Sequence, residues 1–211
     1  MFNYLKSFEE YFNCFISSIL AGLCISIGCI VNLTIGGIAG AILFTFGLLT
    51  VVHYGYFLYT GTSGFVETFK GFLTLIFIIL LGNFVGCYLT SLLTIEGLPD
   101  LIAKSNIIIE SRANYNIWQA LIRGGFCGFL MTTAVTFGKQ KLFLPLLFAV
   151  PLFILSGFWH SIADAFYLFT SNYNLITGNI NDSLTQQINM NWGMTIIGNF
   201  IGCNLYRIKR D

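Results

Sequence analysis

The sequence predicts an all-α membrane protein: six transmembrane helices in two inverted three-helix repeats, with the second and fifth helices broken. Three observations predict it. Only 9% of the 211 residues are charged and 56% are hydrophobic, whereas a soluble domain carries about 25% charged residues. The apolar residues gather in runs of the ~20 residues that cross a bilayer. Short motifs also recur in the same order in the two halves of the chain. The net charge is +1, with no basic cluster of the kind that binds nucleic acid.

The spans fall near 13–35, 37–70, 71–93, 115–137, 142–170 and 188–207. Ahead of the first, NYLKSFEEYFN (3–13) is polar and partly acidic, and reads as a short helix lying on the inner surface. It does not read as a cleavable signal, because the apolar run behind it is too long for an h-region. The second span is over-long and holds HYGYFLYTGTSG (53–64), with three glycines among polar residues. The fifth is also over-long and holds PLFILSGFWHS (151–161), with Pro151 and then Ser-Gly. Irregular backbone at membrane depth survives only where protein or a water-filled cavity satisfies it. Two interrupted helices therefore predict a pathway through the protein.

The third span carries GNFVGC (82–87) and the sixth GNFIGC (198–203); LAGLC (20–24) in the first answers RGGFC (123–127) in the fourth. His53 in the second span pairs with His160 in the fifth on this alignment. Three spans is an odd number, so the second copy enters the membrane upside down. Inverted repeats of this kind build channels and transporters, with the site near the midplane. The repeats run from about 12 to 93 and from about 114 to 208, within one transmembrane channel domain over 1–211. The glycines in the echoed motifs suit close helix packing.

Orientation follows from Lys and Arg. With the N-terminus inside, Lys6, Lys70, Lys139, Lys141, Arg207, Lys209 and Arg210 lie inside, and Lys104 and Arg112 outside; Arg123 falls within the fourth span. This predicts a multi-pass protein of the cell membrane with both termini cytoplasmic. The loops 94–114 and 171–187 then face outward. The six cysteines (Cys14, Cys24, Cys29, Cys87, Cys127, Cys203) form no CxxC or Cys/His pattern and read as small packing residues, with no metal site.

The motifs resemble one family. SGFWHSIADAF (156–166) resembles the fifth-span signature of the formate/nitrite transporters, and FTFGLLTVVHYGYFLYTGT (44–62) their broken second span. LAGLCISIG (20–28), RGGFC (123–127) and GNFIG (198–202) fit the first, fourth and sixth. The resemblance implies an aquaporin-like fold and a homopentamer with one pore per protomer. It implies passage of small monovalent weak-acid anions such as formate, nitrite, hydrosulfide or lactate, linked to protons through a central histidine. It maps that histidine onto His160, the loop threonine onto Thr60 and the sixth-span asparagine onto Asn199. It maps one constriction onto Leu48, Leu58 and Tyr59, the other onto Phe44 and Phe153, and a vestibule cation onto Arg112. The chain departs from the pattern at Trp159 and Phe57, where acidic residues are usual, and at Gly128 and Asp164, where asparagine is usual.

Read on its own chemistry, His160 is either a buried neutral imidazole tying two helices together or a titratable pore-lining group, and ionisable residues inside membranes usually mark function. Asp164 stands four residues on. A helix through both places them on one face, where the carboxyl is either protonated by burial or pairs with the imidazole and favours its cation. The other reading is an outward-facing helix-end carboxylate in the vestibule or at a subunit contact. Thr60 is either a hydroxyl aimed at His160 or ordinary turn chemistry. His53 faces lipid, a neighbour or the pore.

No ATP or redox-cofactor motif is present, and no cofactor is expected. An aquaporin-like channel for neutral solutes is the alternative, without the Asn-Pro-Ala boxes of water channels. A membrane enzyme using His160 and Asp164 lacks a nucleophile or metal set, so the chain is not expected to be an enzyme. A non-conducting structural homologue is a further alternative.

Overall fold

A computed structural model describes residues 7–64, 72–173 and 182–206. Every regular element among them is helical: α1 (Phe8–Ile35), α2 (Gly37–Tyr54), α3 (Tyr59–Thr62), α4 (Phe72–Gly97), α5 (Asp100–Ala113), α6 (Ile117–Lys139), α7 (Leu144–Leu155), α8 (Ser161–Thr170) and α9 (Ser183–Asn204). Of these, α1, α2, α4 and α6 are long and apolar enough to cross a membrane, and α7 is a shorter apolar helix. Their outward faces carry large exposed apolar side chains such as Ile38, Phe46, Phe77 and Leu93, as a lipid or subunit contact requires.

A capping box starts α1. The Ser7 hydroxyl accepts from the Glu10 N–H, and the Glu10 carboxylate accepts from the Ser7 N–H, both at 3.2 Å. Residues 8–13 thus belong to the first long helix rather than to a separate surface helix. Residues 3–6 lie outside the described residues. So do Lys6, Lys70, Arg207, Lys209 and Arg210, which carry most of the orientation argument. α1 passes directly into α2 through Gly36 (φ 72°) and Gly37 (φ 57°), a left-handed pair that only glycine adopts readily.

Glycine sets how closely the helices approach. A Cβ on Gly86 or Gly82 of α4 would strike the α1 backbone around Phe15 and Ile19. A Cβ on Gly198 or Gly202 of α9 would strike the α6 backbone at Leu121 and Gly125. The two pairs, α1 with α4 and α6 with α9, are the most extensively packed among the described helices. Gly202→Val is expected to destabilise the fold by about 3 kcal/mol, the upper range for overpacking, because the obstacle is backbone and cannot rotate away. Melting of the detergent-solubilised protein checks it, and an unchanged Tm would contradict the close approach.

The segment 94–114, expected as a polar outward loop, is instead largely the helix α5. It packs on α8, α9 and α1. The Lys104 Nζ donates to the Leu33 carbonyl at the end of α1 (2.8 Å), and the Asn172 N–H donates to Asn106 Oδ1 (2.9 Å). The Tyr173 hydroxyl donates to Glu110 (2.6 Å). That bond to Glu110, with some burial, pushes the phenol up to about 12, so it remains a donor throughout the physiological range. α5 is thereby fixed across one end of the bundle, where it delivers Arg112.

Candidate functional site

Two helical runs stop and restart inside the bundle. α2 ends at Gly55 (φ 70°), Leu58 is extended, and the chain resumes as α3. α7 ends at Ser156, Gly157 follows at φ 66°, and α8 begins after His160. The interrupted backbone exposes N–H and C=O groups that no helix satisfies, and two buried asparagines take them. Asn83 Oδ1 accepts from the Tyr59 N–H, while its Nδ2 donates to the Ser18 and Phe57 carbonyls, each at 2.8 Å. Asn199 Oδ1 accepts from the Ser161 N–H (2.8 Å), while its Nδ2 donates to the Gly124 (2.8 Å) and Trp159 (2.9 Å) carbonyls.

The two sets are the same construction, and the cysteines extend it across the molecule. The Cys87 thiol donates to the Gly22 and Ile162 carbonyls. The Cys203 thiol donates to those of Gly128 and Thr60. These bonds align Phe57 with Trp159, Tyr59 with Ser161 and Thr60 with Ile162. Leu58, not His53, therefore occupies the position equivalent to His160. His53 sits at the end of α2, exposed and edge-on to Tyr54 (5.0 Å between ring centroids).

His160 is the N-cap of α8. Its Nδ1 accepts from the Ala163 N–H (3.1 Å), so the ring proton sits on Nε2. Nε2 lies 2.8 Å from Thr60 Oγ1 and donates to it. The two interruptions thus meet in one buried His–Thr contact, at 2% and 0% exposure. Phe153 stacks against the imidazole at 5.6 Å, and Phe44 meets Phe153 edge-on at 6.0 Å. Leu48 lies one turn from Phe44 on the buried face of α2.

A cavity of about 190 Å³ opens beside His160, lined among others by Phe44, Phe153, Asp164 and Arg112. A second, of about 110 Å³, is lined by Leu58, Phe57, Gly61, Val135 and Lys139. His160 therefore borders one cavity and Leu58 the other. Tyr59 and Asn199 line neither: the Tyr59 hydroxyl donates to the Ile196 carbonyl (3.0 Å), and the Asn199 amide is engaged with backbone as described.

Asp164 corrects the expected His–Asp pair. Its carboxylate accepts from Arg112 Nη2 at 2.8 Å, while the imidazole caps its own helix. Arg112 lies over the Trp159 ring at 4.5 Å, and Arg123 lies over Tyr115 at 4.2 Å and within 5.9 Å of the Trp159 ring. Arg123 Nη1 donates to the Gly157 carbonyl (2.7 Å), satisfying the interruption before α8. Sequence reasoning gave Arg123 and Asn83 no role. The signal for Asn83 was its place in the echoed GNFVGC; for Arg123 it was a cation inside an apolar span. Gly128 has its own reason: a Cβ there would strike the Asn199 backbone.

Over residues 5–206 the sequence matches the formate/nitrite transporter family. The chain belongs to that family. It is a membrane protein of a transporter family rather than of an enzyme family. No curated protein matches it by sequence. Its fold is similar to a pentameric formate channel with formate bound (TM-score 0.79, 19% identity, 96% of each chain covered). It is also similar to an FNT family ion channel (TM-score 0.78, 21% identity, 92% of this chain and 87% of that one).

Proposed function

We propose that this formate/nitrite transporter carries small monovalent weak-acid anions together with a proton, along a path through each protomer of a homopentamer. Each protomer is built from two inverted repeats, six membrane crossings in all, with the crossings α2–α3 and α7–α8 broken. The observation that carries the reading is the buried His160–Thr60 contact where the two interruptions meet, with one cavity beside His160 and another beside Leu58. The Arg112 cavity faces outward and the Lys139 cavity inward, with both termini in the cytoplasm.

The energetics favour joint passage. A charge at the bilayer centre costs ~3 kcal/mol even on the mildest scale. Protonating a carboxylate of pKa near ~4 at pH 7 costs about three pH units, or ~4 kcal/mol. The costs are comparable, so an anion that takes up a proton in the cavity passes the apolar walls as the neutral acid. The α8 N-terminus adds positive potential at His160. Thr60 and His160 supply hydroxyl and N–H groups where Phe44, Phe153 and Leu58 supply none.

Proteoliposomes test this: uptake of formate, nitrite, hydrosulfide and lactate with acidification or alkalinisation of the lumen, against urea as the neutral control. Urea flux without anion flux would favour the neutral-solute channel. Leu58→Ala and Phe153→Ala each remove a wall of the path. Each is expected to raise leak of larger or charged solutes several-fold. Wild-type rate and selectivity in both would remove these residues from the constrictions.

A further inference from the structure

The His160 cavity already contains a carboxylate on a cation. Among the described residues lining it, Arg112 is the cation and Asp164 the carboxylate. They meet through one bond, Nη2 to Oδ1 at 2.8 Å, with 18% of the Arg112 side chain and 4% of the Asp164 side chain exposed. Arg112 Nε is buried with no hydrogen-bond partner among the described residues. Nε and Nη2 form one edge of the guanidinium, the edge that matches the two oxygens of a carboxylate. Asp164 fills only half of it. The guanidinium, carried on the last turn of α5, packs on the Trp159 ring, which holds the fork in place.

We propose that Asp164 is a tethered competitor for the small carboxylate-like oxyanions that reach Arg112. The proposal rests on the anion-transport reading and adds how the vestibule cation is controlled. A free carboxylate displaces Asp164 from Nη2 and takes both donors of the edge. Asp164 returns as the anion moves on toward His160. A resident carboxylate thus keeps the partly buried guanidinium neutralised when the site is empty and weakens binding enough for release. Single-atom anions use one donor only, so they compete less well against Asp164.

The test is a double-mutant cycle read by Trp159 fluorescence in the detergent-solubilised full chain, with Trp159→Phe as the blank. Formate is the probe and chloride at equal ionic strength the control. Asp164→Asn is expected to lower the half-saturating formate concentration on the order of tenfold, the scale of losing one charge-assisted competitor. Arg112→Gln should abolish the saturable signal, and Arg112→Gln with Asp164→Asn should match Arg112→Gln alone. Equal formate affinity in wild type and Asp164→Asn, tightening that persists without Arg112, or no saturable formate signal in Asp164→Asn would each overturn the proposal. Saturable binding that follows the cycle in a protein without uptake in liposomes would support this site and refute the transport reading, so the two failures are separable.

Discussion

Asn199→Leu is expected to abolish the folded assembly. Its side chain is 0% exposed and serves three backbone groups around the α8 interruption. Leucine has the same branched four-atom side-chain skeleton, so the change removes the hydrogen bonds while keeping the side chain's outline. Two of these backbone groups, the Ser161 N–H and the Trp159 C=O, would be left buried without a partner at about 1–3 kcal/mol each, a total of about 2–6 kcal/mol that reaches into the range of the most damaging single substitutions. Helical backbone would be indifferent to the change, because its bonds are internal. The Ser161 N–H and Trp159 C=O lie outside any helix ladder and have no water to turn to. Asn83→Leu removes the matching bonds around Leu58 and should do the same. Trp118→Ala, at a side chain 65% exposed, should leave assembly unchanged. Size-exclusion profiles of the three variants check this. Normal assembly of Asn199→Leu would mean the interruptions are held by packing alone.

Part of this architecture was legible in the sequence because it depends on local composition. The apolar runs and the Gly- and Pro-bearing stretches at 53–64 and 151–161 are visible without a fold. His160 stood out because a histidine amid apolar residues is costly. The 94–114 segment was not legible as a helix: α5 spans only 14 residues, and its buried stripe of Leu101, Ser105 and Ile109 is broken by a serine and set among charges, so no membrane-length run marks it. The repeat register was misread at His53 because letter identity outweighed backbone position. What the two halves share at the interruption is carbonyl and amide placement, and Leu58 and His160 have no side-chain chemistry in common. The third case is Asp164. Spacing of four residues brings side chains together only when both lie within a helix. His160 is the N-cap and extended, so its ring folds back on the Ala163 N–H. The partner that Asp164 takes is 52 residues away on α5, beyond any local pattern.

His160→Asn is expected to cut anion flux by about 100-fold or more while leaving the assembly intact. Asparagine is a strong N-cap, so it can accept from the Ala163 N–H and start α8 as the histidine does. It cannot carry a proton. General acid–base groups contribute typically 10²–10⁴-fold, and a proton-linked path deprived of its titratable group should lose at least the lower figure. His160→Phe removes the cap as well, at a cost of about 1 kcal/mol, so it should lose flux and some thermal stability together. The contrast separates the two jobs of one side chain. In wild type, flux should fall as pH rises from 5 to 8, because each anion needs a proton and protons become scarce. In His160→Asn the residual flux should follow only the neutral acid present in bulk. Asp164→Asn should keep the shape of the wild-type profile, since the carboxylate is engaged by Arg112 and the imidazole by its own helix. Proteoliposome uptake of formate across that pH range decides these points. Wild-type flux in His160→Asn would reduce the histidine to a helix cap, and a displaced profile in Asp164→Asn would show that the carboxylate acts on the imidazole after all.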